Sequence, residues 1–212
     1  MTISETLWRD NADLAEAALR HPFVRGLADG TLPRERFADF IAQDAFFLES
    51  FARAYALALA HSPDRTGLEA FADLLAGVRE ELRLHASYAK RLGIDLASVE
   101  PAPAARAYTD FLVATAAIGG LGQTCAAMTP CMRLYAYIGQ SLAESATTET
   151  YAEWINTYAD PEFDSLATTV EHLLDAYSSD VDRERITYRR AMRMELDFFE
   201  AAFRGRTGRN TS

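Results

Sequence analysis

Hydrophobic residues recur three and four positions apart through most of the chain, in segments rich in Ala, Leu, Glu and Arg. This spacing places apolar side chains on one face of an α-helix. No stretch alternates apolar and polar residues for long enough to indicate a strand. The pattern therefore predicts an all-α protein.

Prolines and glycines set the expected helix boundaries. A proline pushes the residue before it out of helical geometry, and it fits well at the first position of a helix. A loop over residues 26–32 separates the first two predicted helices, and Gly119, Gly120 and Gly122 mark a sharp break later in the chain. We expect helices over residues 4–20, 33–62, 66–92, 104–117, 129–145, 149–158, 161–178 and 181–204.

The 212 residues fit a single domain, because a chain of this length can bury most of its apolar surface around one core. No repeat of fixed period is present, so a compact helical bundle is favoured over a solenoid. We expect the domain to cover residues 1–204, and residues 205–212, GRTGRNTS, to form a disordered tail.

The formal net charge of −10 disfavours nucleic acid as a partner, because most of the surface would repel a phosphate backbone. We also expect no membrane span and no export, since the chain shows neither a long apolar run nor a basic-then-apolar leader. The two cysteines, Cys125 and Cys131, do not suggest a disulfide framework. These features predict a cytoplasmic protein.

An acidic residue interrupts an aromatic stripe on the second predicted helix. Asp44 shares its helix face with Phe37, Phe40, Ile41, Phe47, Leu48, Phe51 and Tyr55. A carboxylate at such a position forms an internal ion pair or hydrogen bond, which is the more common case, or it faces a ligand.

The last predicted helix repeats this pattern around Glu195. Its apolar neighbours on the same face are Tyr188, Ala191, Met192, Phe198, Phe199 and Ala202. Two acids set into aromatic faces of different helices favour a shared pocket, because each would be desolvated unless a ligand or polar partner met it.

Cys131 follows Pro130 in the segment TPCMRLYAYIG. With Pro130 in the first turn of a helix, Cys131 would lie near the helix N-terminus, where the dipole and exposed N–H groups stabilise a thiolate. The alternative is an inert buried thiol, which is more common for a free cysteine.

Several motifs together resemble the TenA/thiaminase II family. The stretch from His21 to Tyr55 combines an HPF start, a GTLP turn, the run FADFIAQD and the ending FARAY. The later segments AYTDFLVATA, TPCMRLYAYIG, WINTY and ELDFFEAAF follow in the family's order. The resemblance spans nearly the whole chain.

This resemblance implies a helical fold shared with haem oxygenases, assembled as a homotetramer. The implied reaction belongs to thiamin salvage: water replaces the side-chain amine of an aminomethyl aminopyrimidine and gives the hydroxymethyl pyrimidine. Some members of the family also cleave thiamin, more slowly. No cofactor is implied.

The resemblance also assigns roles to residues. It makes Cys131 the nucleophile and Asp44 and Glu195 its carboxylate partners. The expected pocket wall consists of Phe47, Tyr108, Tyr135, Tyr158 and Phe198. The family commonly has tyrosine at the position of Phe47, so a phenol hydroxyl is missing here.

Covalent catalysis would suit this reaction, because it divides a difficult displacement into two easier steps. A thiolate adds to a ring carbon, the amine departs from the exocyclic carbon, water adds, and the thiolate leaves. Desolvation should give Glu195 the higher pKa of the two acids and make it the main acid and base. Asp44 would hold the ring's amino group and a neighbouring nitrogen.

Two other functions compete with this interpretation. A haem or di-iron protein could use the same scaffold, but the sequence contains no Glu-x-x-His motif and its histidines are scattered. We interpret Glu81 and His85, one turn apart, as a solvated helix contact, and expect no metal. A pyrimidine-binding regulator without activity is the second alternative, although binding alone would not require a thiol.

Overall fold

The computed structural model of the protein describes residues 1–205, so the tail predicted at residues 205–212 lies, apart from Gly205, outside the described residues. Within the described range the chain forms ten α-helices, one short 3-10 helix over Leu96–Ser98 and no strand, which confirms the all-α prediction. The helices are α1 (Ile3–Asp10), α2 (Ala12–Leu19), α3 (Pro22–Asp29), α4 (Arg34–His61), α5 (Arg65–Leu92), α6 (Pro103–Ile118), α7 (Gly120–Ala143), α8 (Ala152–Ala159), α9 (Pro161–Tyr177) and α10 (Val181–Arg204).

The N-terminal prediction was wrong in two places. The expected helix over 4–20 is divided at Asn11, whose side-chain amide donates to the carbonyl of Leu7 at 2.8 Å. An asparagine that bonds the backbone in this way competes with the regular helix. The first residues of the expected loop over 26–32 belong to helix α3. This helix ends at Asp29 and is capped by Gly30, whose φ of +78° suits glycine.

The start of α7 was also predicted wrongly. The break at Gly119 and Gly120 is real, but the helix resumes at Gly120 instead of residue 129. Pro130 therefore lies inside α7, where it lacks the N–H that would bond the carbonyl of Ala126. Gly122 is helical as well, and a Cβ there would collide with the carboxyl of Glu184. The helix α8 starts at Ala152, later than expected.

Two long helices organise the packing. The helix α4 lies between α5 and α6, and α7 packs against α6, α8, α9 and α10. The helices α4 and α7 contact each other and α10, so their inward faces surround a common core. Large aromatic side chains fill this core. Among residues 1–205, no helix has both the length and the apolar character needed to cross a lipid bilayer.

Candidate active site

Asp44 lies on the inward face of α4 and is only 4% exposed. Its Oδ2 is 2.7 Å from Nε2 of His85, which α5 presents at 1% exposure. The other ring nitrogen of His85, Nδ1, is 2.9 Å from the carbonyl oxygen of Glu81. The acid predicted to interrupt the aromatic stripe is therefore paired inside the core.

The geometry fixes much of the protonation of this pair. Nδ1 of His85 faces a carbonyl oxygen, which only accepts, so Nδ1 carries a proton. Burial disfavours the charged ring, but the hydrogen bond to Asp44 and the negative charges of Asp44 and Glu81 outweigh it and raise the pKa of His85 to about 9. His85 is therefore an imidazolium at neutral pH, and Asp44 is its counterion.

Glu195 lies on the inward face of α10 at 2% exposure. The hydroxyl of Tyr108, on α6, donates to its Oε1 at 2.7 Å. Burial, together with the charge of Asp44, raises the pKa of Glu195 to about 8, although hydrogen bonds from Tyr108 and Cys131 oppose the shift. Glu195 is thus protonated in most molecules at neutral pH, as desolvation predicted.

Cys131 lies in the middle of α7, not near its N-terminus. The helix-dipole argument for a thiolate was therefore wrong, because that effect is confined to the first turn. Burial and the charges of Glu195, Glu81 and Asp44 raise the pKa of the Cys131 thiol well above its ordinary value. The sulfur is therefore a thiol at neutral pH, and it needs a base to become a nucleophile.

A third carboxyl, which the sequence interpretation assigned to the solvent, belongs to the same site. Glu81 on α5 is half-buried, and its Oε1 accepts from the Tyr158 hydroxyl at 2.6 Å. Burial raises the pKa of Glu81 to about 7, with a further contribution from the charge of Asp44. His85 and Tyr158 act in the opposite direction.

The predicted residues come together around one point in the core. The charges of Asp44, Glu81 and Glu195 all act on the Cys131 thiol and on the Tyr135 hydroxyl. These groups come from α4, α5, α7 and α10. A thiol and three carboxyls in a poorly solvated space can exchange protons with a bound ligand.

Two groups of aromatic rings accompany these side chains. The Phe47 ring lies 4.9 Å from Tyr108, which donates to Glu195, and 5.9 Å from Phe198, centroid to centroid. The rings of Tyr135 and of Tyr158, which donates to Glu81, are 4.9 Å apart. Flat apolar walls of this kind suit a planar heterocycle.

A cavity of about 400 Å³ lies beside the core site, between α5, α8 and α9. Its lining residues are Leu74, Gly77, Val78, Glu80, Glu81, Leu84, Met132, Thr157, Asp160, Glu162, Phe163 and Leu166. Glu81 is common to this lining and to the group of carboxyls that act on Cys131. The cavity is therefore adjacent to the reactive groups, and Glu81 stands between the two.

The roles of Glu81 and His85 escaped the sequence interpretation, but a signal was present. Phe71, Leu74, Val78 and Tyr88 form a buried stripe on α5. Positions 81 and 85 continue this stripe at helical spacing, which predicts that they face inward. Within residues 1–205 no cluster of three or more His, Cys, Asp or Glu side chains is arranged to hold a metal ion.

Comparison with known proteins gives a consistent result. Residues 8–205 match the model of the TENA/THI-4/PQQC family. The chain is 32% identical over 218 aligned positions to an aminopyrimidine aminohydrolase of Halalkalibacterium halodurans, covering 97% of each chain.

Solved structures agree with this match. A TenA family transcription regulator from a Silicibacter species superimposes with a TM-score of 0.91 at 29% identity, covering 96% of this chain and 97% of that one. A domain with a heme oxygenase-like fold from Shewanella denitrificans has a TM-score of 0.76 at 15% identity, with 94% of this chain and 91% of that one covered. The second likeness concerns the fold alone.

Proposed function

Because the chain belongs to the TENA/THI-4/PQQC family, we propose that it is an aminopyrimidine aminohydrolase that releases the amine from an aminomethyl aminopyrimidine, as part of thiamin salvage. The observation that carries this proposal is the meeting of the Cys131 thiol with Glu195 and Asp44 between aromatic walls. The similarity to an aminopyrimidine aminohydrolase over 97% of both chains supports the substrate class.

Cys131 is the proposed nucleophile, and Glu195 activates it. The Glu195 carboxylic acid gives its proton to a ring nitrogen, and the carboxylate so formed accepts the thiol proton as sulfur adds to a ring carbon. This exchange needs a carboxyl with a pKa close to the working pH, which fits the pKa of about 8. The Tyr108 hydroxyl, 2.7 Å from Oε1, orients Glu195 for the transfer.

Asp44 is the proposed anchor for the pyrimidine. Its Oδ2 is held by His85 at 2.7 Å, so we assign Oδ1 to the amino group of the ring. The hydrogen bond with His85 fixes the orientation of Asp44, which an acceptor of an N–H donor needs. Phe47, Tyr108, Tyr135, Tyr158 and Phe198 would pack against the ring faces.

We further propose that the protein is a single catalytic domain over residues 1–204, acting as a cytoplasmic homotetramer without a metal or other cofactor. The family resemblance supports the tetramer, and the two free cysteines suit a reducing compartment. Light scattering should give four times the 23.5 kDa chain mass, and a monomer would contradict the assembly.

Turnover of defined pyrimidines tests the function directly. The aminomethyl aminopyrimidine, its formylated relative and thiamin are each incubated with the protein, and the hydroxymethyl product and the released amine are measured. The proposal expects equal amounts of hydroxymethyl pyrimidine and ammonia from the aminomethyl substrate. Tight binding without product would favour the alternative, a pyrimidine-binding regulator.

A further inference from the structure

Glu81 occupies the boundary between the reactive groups and the adjacent cavity of about 400 Å³. Its charge acts on the Cys131 thiol and on the hydroxyls of Tyr135 and Tyr158. At the same time Glu81 is part of the cavity lining. A ligand that extends from the pyrimidine site into this cavity would pass the Glu81 carboxyl.

Two other acids of the cavity lining have different partners. Glu80 pairs with Arg83 at 2.6 Å, and Asp160 caps α9 by accepting from the N–H of Glu162 at 2.8 Å. Glu81 instead accepts from the phenol of Tyr158, which directs its carboxyl toward the core. Glu81 therefore differs from Glu80 and Asp160 in the direction in which its carboxyl points.

An unsatisfied hydroxyl lies close to the same boundary. The Tyr55 side chain is fully buried, and its hydroxyl has no hydrogen-bond partner among the described residues. Burial raises the pKa of this hydroxyl, and the proximity of Cys131, Cys125 and Glu81 adds to the shift. A buried hydroxyl without a partner is costly, so a polar group of a ligand between Cys131 and Glu81 would stabilise it.

We propose that Glu81 is a further catalytic residue, which donates the proton to the departing amine, and that the adjacent cavity receives the leaving group. This assignment rests on the proposed function. The two carboxyls then have separate tasks. Glu195 transfers a proton to the ring nitrogen, and Glu81 transfers a proton to the departing amine.

The Glu81 carboxylic acid protonates the neutral amine while the bond between nitrogen and the exocyclic carbon breaks, and the electron pair leaves with nitrogen as ammonia. Water then adds to the exocyclic carbon and gives its proton to the Glu81 carboxylate. The acid is restored, and Cys131 departs from the ring. A pKa of about 7 allows Glu81 to serve in both directions near neutral pH.

The test compares leaving groups that differ in their need for a proton. The aminomethyl substrate needs one, whereas thiamin and a trimethylammoniomethyl analogue release a nitrogen that already carries the positive charge. Glu81→Gln retains an oxygen that accepts from Tyr158, so the core contact is kept. Glu69→Gln is the matched control, because this exposed glutamate lies on the same helix outside the cavity lining and pairs with Arg65 at 2.7 Å.

We expect Glu81→Gln to lower kcat on the aminomethyl substrate by about 100-fold or more, and to lower kcat on the quaternary substrates by a factor at least about 10-fold smaller, because those substrates lose only the base for the water step. Glu69→Gln should behave as the unmodified protein on all of them. Equal losses on every substrate, or no loss on the aminomethyl compound, would overturn the role of Glu81. Failure of the unmodified protein to accept any quaternary leaving group would overturn the assignment of the cavity.

Turnover by the unmodified protein distinguishes a failure of the proposed function from a failure of this inference. If it turns over no aminopyrimidine, the proposed function fails and the inference fails with it. If it turns over the aminomethyl substrate and Glu81→Gln does so equally well, the inference alone fails.

Discussion

At the scale of single residues, the site shows how neighbouring charges determine chemistry. Asp44 is held by a protonated histidine, while Glu195 accepts from a neutral phenol. Burial raises the pKa of Glu195 to about 8 against the hydrogen bond from Tyr108, and the hydrogen bond to Asp44 helps to keep His85 protonated. Two acids with different partners can share the tasks of binding and proton transfer.

Amide substitutions should separate these two roles. Glu195→Gln cannot accept the thiol proton, so we expect kcat to fall by about 100-fold or more while the pyrimidine still binds. Asp44→Asn should lower both kcat and affinity, because it loses the charge that pairs with His85 and holds the amino group. Steady-state kinetics and calorimetric titration with the product check this. Full activity in both variants, with reduced stability only, would make the carboxyls structural.

At the scale of helices, the sequence predicted α4, α5, α6, α9 and α10 closely, because each has a clear apolar stripe and a proline or glycine near at least one end. The start of α7 was missed, since a proline inside a helix looks the same in the sequence as a proline at its first turn. Only packing against α9 and α10 distinguishes the two cases.

The sequence also predicted part of the candidate site. Asp44 and Glu195 stood out as acids within aromatic stripes, and the structure brings them close to Cys131. Glu81 and His85 were misjudged because a Glu and a His one turn apart are ordinary on a solvated helix face. The buried stripe of α5 indicates that both residues face inward, but it does not reveal that Asp44 of α4 meets His85 there.

The helices α7 and α8 pack closely against each other at Gly139. This contact determines the position of Tyr158. A Cβ at Gly139 would lie 2.6 Å from the backbone nitrogen of Ala159 and would collide with the backbone of Tyr158. Since both neighbours are backbone atoms, the helices must move apart to accept a side chain. Tyr158, which donates to Glu81, would move with α8.

Gly139→Ala should therefore lower the free energy of unfolding by about 1–3 kcal/mol and weaken pyrimidine binding. Gly77→Ala is the matched control, because its Cβ would meet only the flexible end of Leu166 and alanine favours a helix. Urea denaturation of both variants checks the difference. Equal stability of Gly139→Ala and the unmodified protein would show that the helices are not held at this contact.

At the scale of the whole molecule, a site built from buried acids makes stability depend on pH. The pKa of Glu195 in the folded protein, about 8, exceeds its ordinary value of 4.5. Folding therefore favours the protonated form, and this stabilisation is fully present below pH 4.5 and is lost as the pH rises through about 8. Glu81, with a pKa of about 7, contributes in the same direction.

Glu195→Gln should reduce this dependence, because glutamine does not ionise. Relative to the unmodified protein, the variant should gain up to about 4 kcal/mol in unfolding free energy between pH 5 and pH 8.5. Chemical denaturation of both proteins at the two pH values measures this gain. A difference between the proteins that does not change with pH would show that Glu195 is not desolvated as the structure indicates.

The central claim, hydrolysis with Cys131 as nucleophile, is tested most directly by comparing two cysteine variants in the turnover assay. Cys131→Ser replaces a sulfur nucleophile with a hydroxyl of similar shape, and Cys125→Ser changes a buried cysteine elsewhere on the same helix. The account predicts a loss of about 1000-fold or more in kcat for Cys131→Ser with pyrimidine binding retained, and nearly full activity for Cys125→Ser. A fully active Cys131→Ser protein, or equal losses in the two variants, would contradict it.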